Sequence, residues 1–589
     1  MKKSNKKAVL LLSLVLILSI AFSACVNQKD SSSTPSTDTK DSTSTVGTGT
    51  SEGNATQEEK IHHLRLMGPS RFANFVKWDE REQFPSWNLF IQQLKERNIE
   101  LEYEWIVPEQ YATVIQTRMA SALDLPDIAN ISPLDDMTAM NLGFTGTIID
   151  INSAIEKYSD GSINKKFEEG GLNFSKQLTT APDGKRYWFS TAIASGSLIL
   201  ENGNVALNLE VINNAIRKDW LDKLGLPLPT TVDEWKNALK AFRENDMNGN
   251  GVKDEILLFD PYSYSFFTGI AQWFGLVPDV VAVDPVSNKV VSPWYQDGVK
   301  DYFKLLNELA REGIFDVSLV GATDEVCSQR IAENKVACLR SYAIASWYED
   351  LIEGVDDAEY VILAPLKARE GITPLMLVDA PELCFDKFAI TKACKDVEGA
   401  IKLFDYICSI DFSRVAYVGV EGIDYQLVEK KGEIVADVID KSLTSQERYE
   451  KRIGPMGIFL NNTMFPRIIG MKATAELQTE QEFLESLPND KSRRGAKRRF
   501  DIMEYRPYVT SPFSSSMYAL PSEDELEVIN KYYNALKTYS EELTMGLILG
   551  NESINDWDKH IKKLQELGLD EMIKVYSARY QRYVDAVKK

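Results

Sequence analysis

The sequence predicts an α/β protein of two lobes with a helical carboxyl-terminal segment. Strand and helix patterns alternate in the first part of the chain, and long amphipathic patterns close it. The chain has 589 residues, of which 44% are hydrophobic. It is therefore long and apolar enough to bury more than one core.

The first part of the folded body alternates strand and helix. Apolar patterns typical of strands occur at 61–68, 99–107 and 125–132, and helical patterns occur at 86–98 and 108–122. The second helix opens with a proline, which is favoured at the first helical position. A β-α-β-α-β run of this kind predicts a parallel sheet covered by helices.

A second set of elements follows and predicts the second lobe. It begins near residues 187–200, and further helices are predicted at 211–224, 231–244, 294–313, 394–410, 523–548 and 555–588. Thr231 and Glu234 have the spacing of a capping box at one helix start. We predict a first lobe at about 61–185 with a later returning segment, and a second lobe at about 190–330 with parts of the C-terminal half.

The N-terminus predicts export and a lipid anchor. Residues 1–24 combine a Lys-rich start, an apolar run and small residues, as in a signal peptide. Residues 22–25, Phe-Ser-Ala-Cys, resemble a bacterial lipobox, in which Cys25 would be acylated, for example with palmitate. The alternative is a conventional secretory signal with a chance Cys. Residues 25–60 are rich in Ser and Thr and predict a disordered tether.

Charge and composition exclude some partners. A formal charge of −21 argues against nucleic acid and against anionic lipid surfaces, so membrane contact is expected through the anchor alone. With three His and no C-x-x-C pair, a zinc centre has little support. The five Cys residues after Cys25 are expected to be mostly buried free thiols, although an oxidising exterior permits disulfides.

Several segments resemble a known family. The segment 215–256 contains Arg-Lys-Asp-Trp-Leu-Asp-Lys-Leu-Gly-Leu and an Asn/Gly-rich loop, and further matching pieces lie at 125–128, 309–316, 419–425 and 557–583. Together they resemble extracellular solute-binding protein family 1 of ABC transporters, in the Gram-positive branch that includes lipoproteins of the LplA type. The resemblance implies a two-lobed fold of the periplasmic-binding-protein type (type II), an interlobe ligand cleft and ABC permease subunits as partners. It also implies a monomer on the extracellular face of the cytoplasmic membrane.

The loop Asp-Met-Asn-Gly-Asn-Gly-Val-Lys-Asp-Glu at 246–255 predicts a structural Ca²⁺ site. Its spacing is that of an EF-hand loop, except that position 12 is Leu257 and a strand follows it. Oxygen ligands of this kind suit Ca²⁺ better than Mg²⁺ or Zn²⁺. A metal-free turn is the alternative. The predicted ligands are Asp246, Asn248, Asn250, Val252 (through its carbonyl), Asp254 and Glu255.

Aromatic residues are abundant and favour a sugar as the ligand, because sugar faces pack on aromatic rings. Those placed after predicted strands or near the crossover are candidates for the cleft, each with simple packing as the alternative. The candidate ligand-binding residues are Asn74, Trp78, Trp188, Gln272, Trp273, Tyr342 and Trp347. Trp220, Trp235 and Trp557 lie in strongly patterned helices and are predicted to be core residues.

The sequence favours a transport receptor over an enzyme. No nucleophile elbow, P-loop or HExxH motif occurs. Two alternatives stay open: a secreted glycan hydrolase that uses a carboxylate pair, and a ligand sensor that feeds a membrane kinase. An oligosaccharide is the expected solute.

Overall fold

A computed structural model provides the structure of the protein. It describes residues 60–69, 78–164, 179–194, 214–259, 269–320, 322, 324–340, 349, 351–379, 382–443, 445–456, 477–487, 490, 493–494, 497, 511–513 and 518–587. The predicted signal peptide, Cys25 and the tether up to residue 59 lie outside these ranges.

The described strands belong to two main sheets and several short pairs. They are β1 (His62–Pro69), β2 (Ile99–Ile106), β3 (Ile128–Asn130), β4 (Phe189–Ala194), β5 (Asn214–Arg217), β6 (Ala282–Asp284), β7 (Lys289–Val291), β8 (Cys338–Arg340), β9 (Tyr360–Ile362), β10 (Leu377–Asp379), β11 (Glu382–Ile390), β12 (Tyr425–Lys430), β13 (Glu433–Val438) and β14 (Ser511–Phe513).

The described α-helices cover both sheets and close the chain. They are α1 (Pro85–Lys95), α2 (Pro108–Ser121), α3 (Asp136–Phe144), α4 (Ile151–Tyr158), α5 (Lys218–Lys223), α6 (Val232–Arg243), α7 (Val299–Arg311), α8 (Asp324–Ala332), α9 (Val397–Ile407), α10 (Ile410–Tyr417), α11 (Ser445–Arg448), α12 (Glu480–Glu485), α13 (Glu523–Leu549), α14 (Trp557–Glu566) and α15 (Leu569–Val587).

The first lobe is built on a five-stranded sheet of order β2-β1-β3-β11-β4. β1 pairs in parallel with β2 and β3, as the alternating pattern predicts. β11 is antiparallel to β3 and β4, so β4 runs in the same direction as β3. One core of this lobe contains Phe90, Phe189 and Phe404, and the rings of Phe189 and Phe404 stack with centroids 3.7 Å apart.

The second lobe is built on the sheet β8-β5-β9, in which β5 is antiparallel to both neighbours. Its core contains Trp220, Trp235 and Trp557, which confirms their predicted burial. The capping box of Thr231 and Glu234 is also confirmed at the start of α6. The predicted helix 211–224 is wrong in its first half, because Asn214–Arg217 is a fully buried strand that pairs on both sides and the helix begins only at Lys218.

The carboxyl-terminal helices join the two lobes. Leu526, in the first turn of α13, lies in a core of the first lobe, whereas Leu536 and Leu543 lie in the core of the second lobe. The pattern predicted as one helix at 555–588 is two helices, because Gly568 adopts a left-handed conformation (φ +93°) between α14 and α15. Helix α13 therefore crosses from one lobe to the other.

Two further properties of the described residues concern the state of the cysteines and the hydropathy of the helices. Cys327, Cys338, Cys394 and Cys408 are buried thiols outside any disulfide, as predicted, while the side chain of Cys384 lies outside the described residues. Among the helices that the structure describes, none is both long and apolar enough to cross a membrane.

Candidate functional site

A ligand site is expected at the carboxyl edge of the first sheet. There β1 ends at Pro69, β2 at Ile106 and β3 at Asn130. Open α/β sheets bind ligands in the crevice outside the carboxyl ends of their parallel strands. Side chains that this edge presents are therefore candidates.

Aromatic side chains gather at this edge in a group that we call the edge patch: Trp78, Arg81, Tyr103 and Trp105. The ring planes of Trp78 and Trp105 are within 7° of parallel, with centroids 6.2 Å apart. Tyr103 lies 5.1 Å from Trp78, and the Arg81 guanidinium carbon lies 4.8 Å above the Trp78 ring. All four side chains are partly exposed. The patch thus offers flat rings beside a cation.

Local sequence explains the edge patch. Tyr103 and Trp105 are two residues apart on β2 and so point to the same face. Trp78 contacts this face from a short helical turn, Trp78–Gln83, that precedes α1. Within the described part of the chain, the buried indole nitrogen of Trp105 has no hydrogen-bond partner.

Polar groups beyond the end of β3 fix the neighbouring part of the edge. The Asn130 side-chain oxygen accepts a hydrogen bond from the Ser132 backbone N–H at 3.0 Å. Lys387, on β11, donates to the Leu134 carbonyl at 2.8 Å and pairs with Asp136 at 3.1 Å. These contacts hold the start of α3 at the carboxyl edge.

The predicted ligand residues have different positions. Trp78 lies in the edge patch, at the expected edge. Trp188 directly precedes β4, whose first residue Phe189 pairs with Phe388 opposite the end of β3; the Trp188 side chain is 2% exposed and lies in a core of the first lobe. Trp273 (3% exposed) and Gln272 (1%) are buried in the second lobe, where Trp273 contacts Trp235 edge-to-face at 5.2 Å. All three side chains are thus packed in the cores of their lobes, and their contact with a ligand stays a prediction.

Three predicted ligand residues lie outside the described residues: Asn74, Tyr342 and Trp347. Their contact with a ligand stays a prediction.

A second group, which we call the tyrosine junction, lies where the lobes meet: Asp279, Tyr518, Tyr533, Tyr576 and Arg579. Tyr518 and Tyr576 contact edge-to-face with centroids 5.0 Å apart. The Arg579 guanidinium carbon lies 4.7 Å from the Tyr576 ring and 5.5 Å from Tyr518. Tyr533 is on α13, and Tyr576 is on α15, which packs against it.

Electrostatics connect the members of the tyrosine junction. Burial raises the pKa of the Tyr576 hydroxyl; the Arg579 charge opposes this shift and Asp279 adds to it. Burial also raises the pKa of Tyr533, and the charges of Asp279 and Asp135 contribute. The Asp279 side chain is exposed, yet the protein around it is dense enough to raise the pKa of its carboxyl.

Sequence reasoning did not find the tyrosine junction. Its tyrosines lie on helices whose aromatic spacing is also that of ordinary core packing. One signal was present: the segment 576–583 contains three Tyr and two Arg, a density that packing alone does not require.

A cavity of about 440 Å³ lies at the amino edge of the first sheet. Ile149 lines this cavity. Its backbone N–H donates a hydrogen bond to the carbonyl of Ile390, beside the start of β3. Asp150 already caps α4 at 3.0 Å, and Asp183 pairs with Lys185 at 3.2 Å. Because Asp150 and Asp183 are already engaged and the cavity lies beside the start of β3, we do not assign the solute to this cavity.

The predicted calcium loop precedes Ile256, which bridges in parallel to Val336. The loop therefore lies beside the amino end of β8. The Asp246 carboxylate accepts hydrogen bonds from the backbone N–H groups of Gly249 (2.8 Å), Asn250 (3.1 Å) and Gly251 (2.8 Å). Gly249 and Gly251 have positive φ, which the tight turn requires.

The other predicted ligands lie within the same turn. The Asn248 and Asn250 amides donate to Asp254 at 3.3 and 3.0 Å. The Lys335 ammonium, 2.9 Å from Asp254, holds the pKa of that carboxyl below its usual range. The second carboxylate oxygen of Glu255 is buried and has no hydrogen-bond partner in the described structure.

The donor set of this loop fits a hard cation. Among the described residues, no three His, Cys, Asp or Glu side chains are gathered as metal ligands, because Asp246 turns to backbone amides and Asp254 to Lys335. The unpartnered oxygen of Glu255 and the carboxylate and amide oxygens beside it are nevertheless the chemistry that Ca²⁺ prefers.

Known proteins resemble this chain along most of its length. No protein-family model matches the chain. FusA, the fructooligosaccharide ABC transporter substrate-binding protein of Streptococcus pneumoniae serotype 4, is 24% identical over 519 residues, which cover 85% of this chain and 88% of FusA. YtcQ, a polygalacturonan/rhamnogalacturonan-binding protein of Bacillus subtilis, is 23% identical over 511 residues, covering 82% of this chain and 86% of YtcQ.

A solved structure shows the same fold. The S. pneumoniae FusA EF-hand mutant in complex with fructo-nystose superposes with a TM-score of 0.65 at 19% identity, covering 89% of this chain and 99% of that structure. The fold is thus that of the two-lobed solute-binding proteins. FusA is a substrate-binding protein of an ABC transporter and YtcQ is a polysaccharide-binding protein, and together with the shared fold they confirm the resemblance to extracellular solute-binding protein family 1.

Proposed function

We propose that the protein is the receptor of an ABC importer, which binds an oligosaccharide between its two lobes and delivers it to the permease. The observation that carries this proposal is the edge patch. The polarised C–H groups of a sugar favour aromatic ring faces, and an arginine beside them can donate hydrogen bonds to hydroxyls. Two relatives support it, since FusA binds fructooligosaccharide and YtcQ binds polygalacturonan and rhamnogalacturonan.

The proposed role is binding without catalysis. FusA is the binding component of a transporter, and a receptor releases its solute unchanged. The protein would act as a monomer, with permease subunits as its partners.

The proposed receptor is held on the extracellular face of the cytoplasmic membrane by a lipid on Cys25. A structural Ca²⁺ ion would be held by Asp246, Asn248, Asn250, Asp254, Glu255 and the Val252 carbonyl. When bound, the ion supplies positive charge to a loop that carries three carboxylates. The EF-hand named in the FusA structure supports this part of the proposal.

Calorimetric titration with a panel of oligosaccharides tests the function. We expect stoichiometric binding of at least one oligosaccharide with no product formed. Trp78→Ala and Trp105→Ala should each weaken it by about 1–3 kcal/mol, the loss expected for an aromatic anchor.

Tyr295→Ala is the matched control, because Tyr295 is a partly exposed aromatic residue of the second lobe (42% exposed). It should bind like the parent. Turnover of a glycan would identify a hydrolase, and normal binding by both Trp variants would place the site elsewhere.

A further inference from the structure

One row of residues runs across the first sheet at its carboxyl edge. Trp105 on β2 is paired with Gly68 on β1. The pairing of Met67 with Ala129 places Gly68 beside Asn130, one residue farther along both strands. Residues paired across neighbouring strands point to the same face of a sheet. Asn130 therefore lies on the face that carries the edge patch, with only a glycine between it and Trp105.

The glycine keeps the middle of this row open. A Cβ atom on Gly68 would lie 2.7 Å from the Tyr103 hydroxyl oxygen and 3.5 Å from the Asn130 Cβ atom. The Tyr103 hydroxyl donates a hydrogen bond to the Pro69 carbonyl at 2.8 Å, where β1 ends. The Tyr103 hydroxyl and Asn130 thus both border the space above Gly68.

The Asn130 amide has one end fixed and the other end open. Its oxygen accepts hydrogen bonds from the Ser132 backbone N–H, at 3.0 Å, and from the Ser132 hydroxyl. Because a backbone N–H can only donate, this contact also fixes which end of the amide is the oxygen. Within the described part of the chain, the Nδ2 group of Asn130 makes no hydrogen bond. Asn130 is only 6% exposed, yet this nitrogen keeps some contact with solvent.

A donor at this place complements the rings of the edge patch. When a sugar face packs on an aromatic ring, the hydroxyl groups of that sugar point outward along its rim, where a polar group beside the ring can reach them. A nearly buried amide donor costs free energy when it is left unpaired. A site with such a donor therefore disfavours an analogue that lacks the accepting oxygen.

We propose that Asn130 is a specificity-determining residue of the solute site, and that its Nδ2 group donates a hydrogen bond to a hydroxyl oxygen of the sugar unit that packs on the edge patch. This inference rests on the proposed function, because it assigns a contact to the same oligosaccharide. The solute carries a hydroxyl at that position, and the corresponding deoxy sugar is rejected.

Titration calorimetry with the oligosaccharide panel, including kestose, maltotriose, xylotriose and mannotriose, tests the proposal. The panel member that binds most tightly is compared with its monodeoxy analogues, on the parent and on Asn130→Ala. We expect Asn130→Ala to bind that sugar about tenfold more weakly. One monodeoxy analogue should lose about as much affinity for the parent, but should bind Asn130→Ala as well as the full sugar does, because the variant has already lost that contact.

Asn530→Ala is the matched control, because it removes the same amide from an exposed position on α13. It should bind like the parent. A crystal structure of the parent with the same sugar is a second measurement, which needs no variant to fold. It should place the Asn130 Nδ2 atom within about 3.2 Å of a sugar oxygen.

The outcomes separate this inference from the function. Three results would overturn the inference and leave the receptor role intact: an Asn130→Ala protein that binds like the parent, a loss of the same factor for the full sugar and every deoxy analogue, or a crystal structure without the Asn130 contact. A parent that binds no oligosaccharide of the panel would overturn both.

Discussion

At the residue scale, Arg217 illustrates how a short motif fixes a buried charge. Its guanidinium is fully buried and makes two hydrogen bonds to Asp219, at 2.7 and 2.5 Å, and one to Asn334, at 2.5 Å. It also lies 4.4 Å from the Trp220 ring. The Arg-Lys-Asp-Trp sequence at 217–220 thus places a charge, its partner and an aromatic cover within four residues.

Arg217→Met should destabilise the protein by about 3–5 kcal/mol, because it leaves the Asp219 carboxylate without its buried partner. Urea unfolding of the parent and variant measures the change. Arg369→Met is the control, since Arg369 pairs with Asp301 at 2.6 Å but is 40% exposed. This control variant should leave the urea concentration at the midpoint of unfolding nearly unchanged. An equal loss of stability in both variants would show that the burial of Arg217 does not account for the effect of Arg217→Met.

Single residues were also the hardest to assign to the site from sequence. Trp188 and Trp78 both flank strands, but Trp188 comes before its strand and Trp78 after one. Only the pairing of β4 with β11 and the tertiary packing reveal that Trp188 is covered by a core of the first lobe, whereas Trp78 is partly exposed. Pairing between segments far apart in the chain leaves no local pattern.

At the element scale, periodicity predicted long helices well and short buried strands poorly. Helix α13 has nearly the predicted bounds, because its caps and apolar face are local features. β5 was missed, because a strand of four buried residues shows no alternation. The tyrosine junction was missed for a related reason: it is assembled from α13, α15 and the segment around Asp279, which only the tertiary fold brings together.

The calcium loop is an element whose predicted function can be measured directly. Ca²⁺ at about a hundred times its dissociation constant should stabilise the protein by roughly 2.7 kcal/mol, since it binds only the folded loop. Scanning calorimetry of the metal-stripped protein with and without Ca²⁺ would detect a rise in Tm, which Asp246→Ala should abolish. Lys335→Met should tighten Ca²⁺ binding, because the ion no longer competes with the ammonium for Asp254.

Asp233→Asn, an exposed carboxylate on α6, is the control for the loop and should keep the calcium response. The absence of any response in the parent, or an equal response in Asp246→Ala, would return residues 246–255 to an ordinary turn. Sugar affinity should change little in these variants, because the loop lies beside β8 of the second sheet, whereas the edge patch lies on the first sheet.

At the scale of the whole molecule, the negative charge of the folded body and the predicted lipid anchor together predict where the protein works. The body carries most of a net charge of −21, so anionic lipid repels it and does not hold it. The proposed attachment to a membrane therefore depends on a lipid on Cys25. The 35 residues from 26 to 60 would let the folded body move roughly 30–35 Å from that lipid as a flexible coil, enough to reach a permease nearby.

Cys25→Ser removes the atom that would carry the lipid. We expect this variant to appear in the medium or to accumulate as an uncleaved precursor, whereas the parent fractionates with membranes and is extracted only by detergent. Ser31→Ala, in the predicted tether, is the control and should behave like the parent. Immunoblots of membrane and medium fractions, with mass spectrometry of the mature N-terminus, measure both. A Cys25→Ser protein that is processed and membrane-bound like the parent would mean that something other than a lipid holds this acidic body at the membrane.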